Sequence, residues 1–135
     1  MNATIEKLRD LMNGHDAQAL AALFAPTYRS QQPTHPNRGF GGHAQVAANW
    51  SNMFRGVPDL TAEVLAECTD GATSWSEWIW SGHHPDGSVF EMRGVTILGL
   101  TDDGLIAEAR LYMEAVERDG AAIDEAVRQL AEPSR

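Results

Sequence analysis

Five histidines, one cysteine and a strand rich in tryptophan are the side chains best suited to chemistry in this sequence. His83-His84-Pro85-Asp86 gathers three potential metal ligands, but in a turn, with no helix or strand spacing to fix them. A structural metal site needs a closed tetrahedral set and a catalytic one needs three ordered ligands, so neither a metal nor a cofactor is expected. His35, between Pro33 and Pro36, titrates in the range useful to a general base and is the candidate catalytic residue. No carboxylate stands near it in sequence to orient the ring, and a plain surface-loop histidine is the alternative. Gly39, Gly41 and Gly42 precede a helix but lack the lysine and the preceding strand of a phosphate loop; a tight turn explains them. Cys68 is the only cysteine, so no internal disulfide can form, and nothing nearby would stabilise a thiolate. Trp75, Trp78 and Trp80 share one strand, where aromatics fill a core or line a cleft for a flat apolar ligand.

Periodicity defines the elements that position these groups. Ile5, Leu8, Leu11 and Met12 make one helical face, closed by Asn13-Gly14, a pair suited to a left-handed cap. Asp16 caps a second helix that presents Leu20, Leu23 and Phe24 and stops at Pro26. A short strand from Tyr28 to Gln32 and a Pro- and Gly-rich loop over 33–42 follow. Val46, Trp50, Met53 and Phe54 recur at helical spacing, and Gly56 with Pro58 ends that helix. From Leu60 the period becomes two, with strands expected over Leu60–Thr69, Ala72–Ser81, Ser88–Leu100 and Leu105–Glu114. A last helix over about 119–131 shows Ile123, Val127 and Leu130 on one face. Helices followed by a meander mean an α+β fold, and 135 residues make one domain over 1–135.

If Thr101-Asp102-Asp103-Gly104 is the hairpin loop, Leu100 lies opposite Leu105, Thr96 opposite Ala109, Gly94 opposite Leu111 and Met92 opposite Met113. Arg93 then sits beside Tyr112, and Glu91 beside Glu114. One face is small and apolar and suggests a pocket; the other carries charges and a tyrosine. A formal net charge of −9, with one lysine and nine scattered arginines, argues against nucleic acid and anionic membrane as partners. No leader or spanning segment is evident, so a cytoplasmic protein is expected.

The order of short motifs resembles the SnoaL-like branch of the nuclear transport factor two-like superfamily. The similarity lies in Asn13-Gly14-His15-Asp16 before Leu20–Ala25, Gly42 heading the third helix, Phe90–Val95 and Asp103–Ile106. The resemblance implies a cone: a strongly bent antiparallel sheet wrapped around N-terminal helices, with a short C-terminal helix and a deep apolar cavity. It also implies that the family's known catalytic positions are occupied here by Leu8, Gln32, Thr96 and Leu111, none of them a proton carrier. The inward hairpin face supplies Met92, Thr96, Ala109, Leu111 and Met113 to the pocket side, the resemblance adds Gln32 and Trp78, and Trp50 and Phe54 approach from the helix. The expected function is binding of a small, largely apolar molecule, with cyclase-, isomerase- or hydrolase-like chemistry on a polyketide- or terpenoid-like substrate. The alternative is a non-catalytic binding or assembly module. Arg93, Arg110, Tyr112 and Glu114, beside Val95 and Ile97, suit a homodimer joined through the outer sheet face.

Overall fold

In the computed structural model, which describes residues 1–133, Asn2 starts helix α1 (Ala3–Asn13) by accepting the Thr4 and Ile5 amides on its side-chain oxygen. Those are donors the helix cannot satisfy itself. Ile5, Leu8 and Met12 form its buried stripe. Gly14 is not the left-handed residue; it keeps φ −79°, and His15 takes φ +56°. The imidazole explains the exchange: it stacks on Phe54 at 4.6 Å, and its Nε2 lies 2.7 Å from the Leu60 carbonyl oxygen.

Helix α2 (Ala17–Ala21) is capped by Asp16, as expected, but ends earlier than its apolar spacing implies. Phe24 belongs to strand β1 (Phe24–Gln31), which carries Pro26 inside it. That proline falls where the ladder to the next strand is interrupted, between Phe24 and Arg29, so its missing N–H breaks no bond. Within the 33–42 stretch the chain makes a 3-10 turn (Pro36–Arg38) and a two-residue strand β2 (Phe40–Gly41), both too short to read from periodicity. Gly42 adopts φ +87° and gives its N–H to the Tyr28 carbonyl at 2.7 Å. This tight turn leads into α3 (His43–Gly56).

Strands β3 (Thr61–Asp70), β4 (Thr73–His83), β5 (Val89–Leu100) and β6 (Ile106–Ala115) form the expected meander. The curved, unclosed sheet runs β2-β1-β6-β5-β4-β3. One pair departs from the antiparallel expectation: β1 lies parallel to β6. The hairpin register differs too. Thr96 faces Leu111, Gly94 faces Met113 and Arg93 faces Glu114. The turn is one residue longer than expected, with the Thr101 amide donating to the Leu105 carbonyl, and Ala107 is an extra residue between the Leu100–Ile106 and Gly99–Glu108 pairs. Two displacements of one residue restore every side chain to its expected face.

The concave face is built in rows. Trp78 is wholly buried opposite Gly94, which gives the indole its space, and Met113 follows on the far side of Gly94. Ser76, Thr96 and Leu111 form the next row. Helix α4 (Ile123–Ala131) appears within the expected span, but none of its residues is buried; Ile123, Val127 and Leu130 face solvent. No helix among the described residues is long and apolar enough to cross a membrane.

Candidate functional site

Helix α3 lies across the concave face and does not fill it. A cavity of about 220 Å³ remains. Helix α3 contributes Val46, Asn49, Trp50 and Met53, the i, i+3, i+4, i+7 positions of one face. Phe24, Tyr28 and Ser30 come from β1; Trp80, Met92, Leu111 and Met113 come from β4, β5 and β6. Gln32, Arg38 and Phe40 close the side where β1 ends, and there Arg38 donates to the Gln32 side-chain oxygen at 3.0 Å. A larger, more polar hollow of about 530 Å³ lies on the outside of that segment and shares Ser30, Gln32 and Phe40 with the cavity.

Of the residues expected in the pocket, Gln32, Trp50, Met92, Leu111 and Met113 line this cavity. Phe54, Trp78, Thr96 and Ala109 do not. Trp78 donates its indole N–H to Ser76 Oγ (2.9 Å) and Thr96 Oγ1 (3.1 Å), and those hydroxyls lie 3.0 Å apart. Thr96 is therefore engaged inside the wall. Ala109 is buried beside Leu98 and Ser30, and Phe54 stacks on His15. His35 lies away from the lining. Its Nε2 is 2.7 Å from Glu114 Oε1, and Thr34 donates to the same oxygen at 3.3 Å. The carboxylate missing near His35 in sequence thus arrives from β6, on the outer face. The His35 bond, more than any other contact, holds the Glu114 carboxyl below its ordinary pKa.

Several cavity residues lay outside the expected set. Trp80 shares its strand face with Trp78, and Tyr28, Ser30 and Gln32 alternate with period two, so the signal was present in both strands. Two atoms stand out chemically. Trp80 Nε1 is buried and has no hydrogen-bond partner among the described residues, a condition that costs about 1–3 kcal/mol, while Ser30 Oγ is buried beside the Tyr28 hydroxyl. Burial raises the pKa of the Tyr28 phenol, with Ser30 pulling more weakly the other way, so Tyr28 stays a neutral donor at pH 7. Among the described residues, no carboxylate, imidazole or thiol lines the cavity. The described lining residues offer hydrogen-bond donors and apolar surface, and none of them is an acceptor of protons at pH 7.

The remaining candidates lie outside the cavity lining. Asp59 accepts both the His83 amide and, at 2.7 Å, faces its Nδ1; His84 Nδ1 lies 3.0 Å from the Gly56 carbonyl oxygen. These bonds tie the β4–β5 turn to the end of α3. Cys68 is exposed on β3.

No curated protein matches the chain. Solved structures share its fold. The epoxide hydrolase/cyclase-like enzyme SalBIII, of pyran ring formation in the polyether salinomycin, aligns with TM-score 0.72 at 16% identity over 82% of this chain and 88% of its own. An NTF2-like protein of unknown function from Exiguobacterium sp. 255-15 aligns with TM-score 0.68 at 22% identity over 87% of this chain and 100% of its own. RV0760c from Mycobacterium tuberculosis, solved in complex with estradiol-17beta-hemisuccinate, gives 0.69 at 18% identity over 81% and 89%. The sequence itself matches the SnoaL-like domain over residues 5–109, and the chain therefore belongs to the SnoaL-like family.

Proposed function

We propose that this protein binds a small, largely apolar molecule in the cavity between α3 and the concave sheet face, and holds it without exchanging protons with it. One observation carries the reading: an apolar hollow lined, among the described residues, by the unpartnered Trp80 indole N–H and by no residue that accepts a proton at pH 7. Gln32, Trp50, Met92, Leu111 and Met113 contact the ligand; Phe54, Trp78, Thr96 and Ala109 support them from behind. The second reading is catalysis of the cyclase, isomerase or hydrolase type on a polyketide- or terpenoid-like substrate. It is favoured by the donors Tyr28 and Arg38 in the lining and by the similarity to SalBIII. In that case the protein folds and polarises a reactive substrate, and His35 stays outside the chemistry.

Camphor, a compact apolar probe, should quench the fluorescence of Trp50 and Trp80 on titration. Met53→Trp, which fills the hollow, should weaken that binding at least about tenfold while melting near the wild-type temperature. Undiminished binding to the filled variant would put the site elsewhere. Recovery of unchanged polyketide and terpenoid test compounds after long incubation supports the binding reading; their consumption supports the catalytic one.

The proposal extends to assembly, in the cytoplasm, as a homodimer. On the outer face Trp75, Ile97 and Arg110 form one cross-strand row, and Glu77, Val95 and Tyr112 the next. Trp75 and Tyr112 remain over a third exposed in the single chain, and aromatic, arginine and apolar side chains together suit an interface. Sedimentation should show a dimer at micromolar concentration; a monomer throughout that range overturns the arrangement.

A further inference from the structure

We infer that the segment 32–38 is a gate between the cavity and solvent, latched shut by the bond between His35 and Glu114. This rests on the cavity reading above and adds how the cavity is entered. Two hollows meet at the segment: the inner one of about 220 Å³ and the outer one of about 530 Å³ share Ser30, Gln32 and Phe40. Ser30 and Phe40 face each other in the β1–β2 ladder and form a fixed frame. Gln32 lies beyond that ladder, with the cavity on one side and the outer hollow on the other. Arg38, bonded to Gln32 at 3.0 Å, lines the cavity, whereas Pro33, Pro36 and Gly39 line the outer hollow. Parting Gln32 and Arg38 from the frame joins the two spaces.

The segment is suited to move as one piece. Pro33 and Pro36 fix their own φ angles. The His35 N–H donates to the Gln32 carbonyl at 2.7 Å and the Arg38 N–H to the His35 carbonyl at 3.0 Å, bonds that travel with the segment. No residue from Gln32 to Phe40 is buried, so a displacement gives up little apolar contact. Among the described residues, the side-chain bonds that tie 32–38 to the rest of the protein end on one atom: His35 Nε2 donates to Glu114 Oε1 at 2.7 Å, and Thr34 donates to the same oxygen at 3.3 Å. Arg93, opposite Glu114 on β5, donates to Glu91 instead and leaves the Glu114 carboxylate to the latch. A surface pair of this kind is weak enough to break and re-form thermally, and loops move on nanosecond to microsecond timescales. One exposed bond thus controls how often the cavity opens on this side.

Acrylamide quenching of tryptophan fluorescence tests the gate without any bound ligand. A Trp75→Phe background removes the exposed outer indole, and Trp50 and Trp80 then report from the cavity lining. The quenching rate constant should rise about two- to fivefold in His35→Ala and in Glu114→Ala, the range for one surface ion pair. The double variant should match Glu114→Ala alone, because both changes open the same latch. Asp59→Asn breaks another exposed imidazole–carboxylate pair, at His83, and should leave the rate unmoved. In stopped flow, camphor should associate and dissociate faster by a similar factor in both latch variants, with its affinity nearly unchanged, since the latch is made in empty and filled protein alike. Quenching unmoved in His35→Ala or Glu114→Ala, or raised equally in Asp59→Asn, overturns the gate and leaves the cavity reading standing. Absence of camphor binding by the wild type, with quenching changed as expected, overturns the cavity reading and keeps the gate.

Discussion

Trp78→Ala should lower the unfolding free energy by about 3–5 kcal/mol, the largest single-residue effect expected in this chain. The indole is wholly buried in the row it shares with Gly94 and Met113. Gly94 cannot fill the gap, because a side chain there would run into the Tyr112 carbonyl of the adjoining strand. The void therefore persists, and cavity volume is what makes large-to-small changes costly. Ser76 and Thr96 lose the shared indole donor but keep each other at 3.0 Å, so packing dominates the loss. Urea melts followed by far-ultraviolet circular dichroism measure it. Trp78→Phe should recover a substantial part. A Trp78→Ala protein within about 1 kcal/mol of wild type would show that the indole is not the keystone its burial implies.

Leu111→Asp should cost about 2–4 kcal/mol at neutral pH, through lost leucine packing and a carboxyl placed in an apolar hollow. Leu111 lines the cavity beside Met113 and faces Thr96 across the ladder. The new carboxyl is poorly solvated there, so its folded pKa should rise above the ordinary value of about 3.9. The sign of the pH effect follows. With the folded pKa above the unfolded one, the charge penalty is complete above the folded pKa. It fades as pH falls through that value toward the unfolded pKa. The deficit relative to wild type should thus be smaller near about pH 4 than near about pH 7, with the packing loss remaining at both. Glu108→Asp, on the exposed outer face of the same strand, is the control and should stay within about 0.5 kcal/mol. A Leu111→Asp protein as stable as that control, titrating like a free aspartate, would reverse the two faces of β6.

The faces of the hairpin were legible because alternation survives a register error of two. Thr96, Leu111 and Met113 point inward whether Gly94 meets Leu111 or Met113. The register itself was not, because it depends on the length of the turn after Leu100 and on the extra residue at Ala107. Helix α2 illustrates a different limit. Leu20, Leu23 and Phe24 fit helical spacing, yet Phe24 is taken by β1, whose partner β6 lies at the other end of the chain. Local pattern cannot weigh such a distant pairing. The same holds for His35 and Glu114, brought together only by the fold. Part of the cavity was open to reading: Met92, Leu111, Met113 and Trp50 by alternation or helical spacing, Gln32 by family resemblance. Ser30 and Trp80 carried the same alternation, but the significance of Trp80 lies in an indole N–H with no partner among the described residues, and absence of a bond is invisible in a string of letters.

The parallel ladder between β1 and β6 sets the order in which the chain acquires structure. Strands β3 to β6 join neighbours through short turns, whereas Arg29 meets Glu108 only after everything between them has been made. Long closures lose chain entropy before their contacts compensate, which delays them relative to hairpins. During synthesis the segment holding Phe24 and Tyr28 must therefore wait for the final strand to emerge. Because the cavity draws its walls from β1 and β6 alike, it is completed last. A molecule that bound there would act on the exit rather than the entrance: it would prolong the lifetime of the folded protein and leave the rate of folding nearly unchanged.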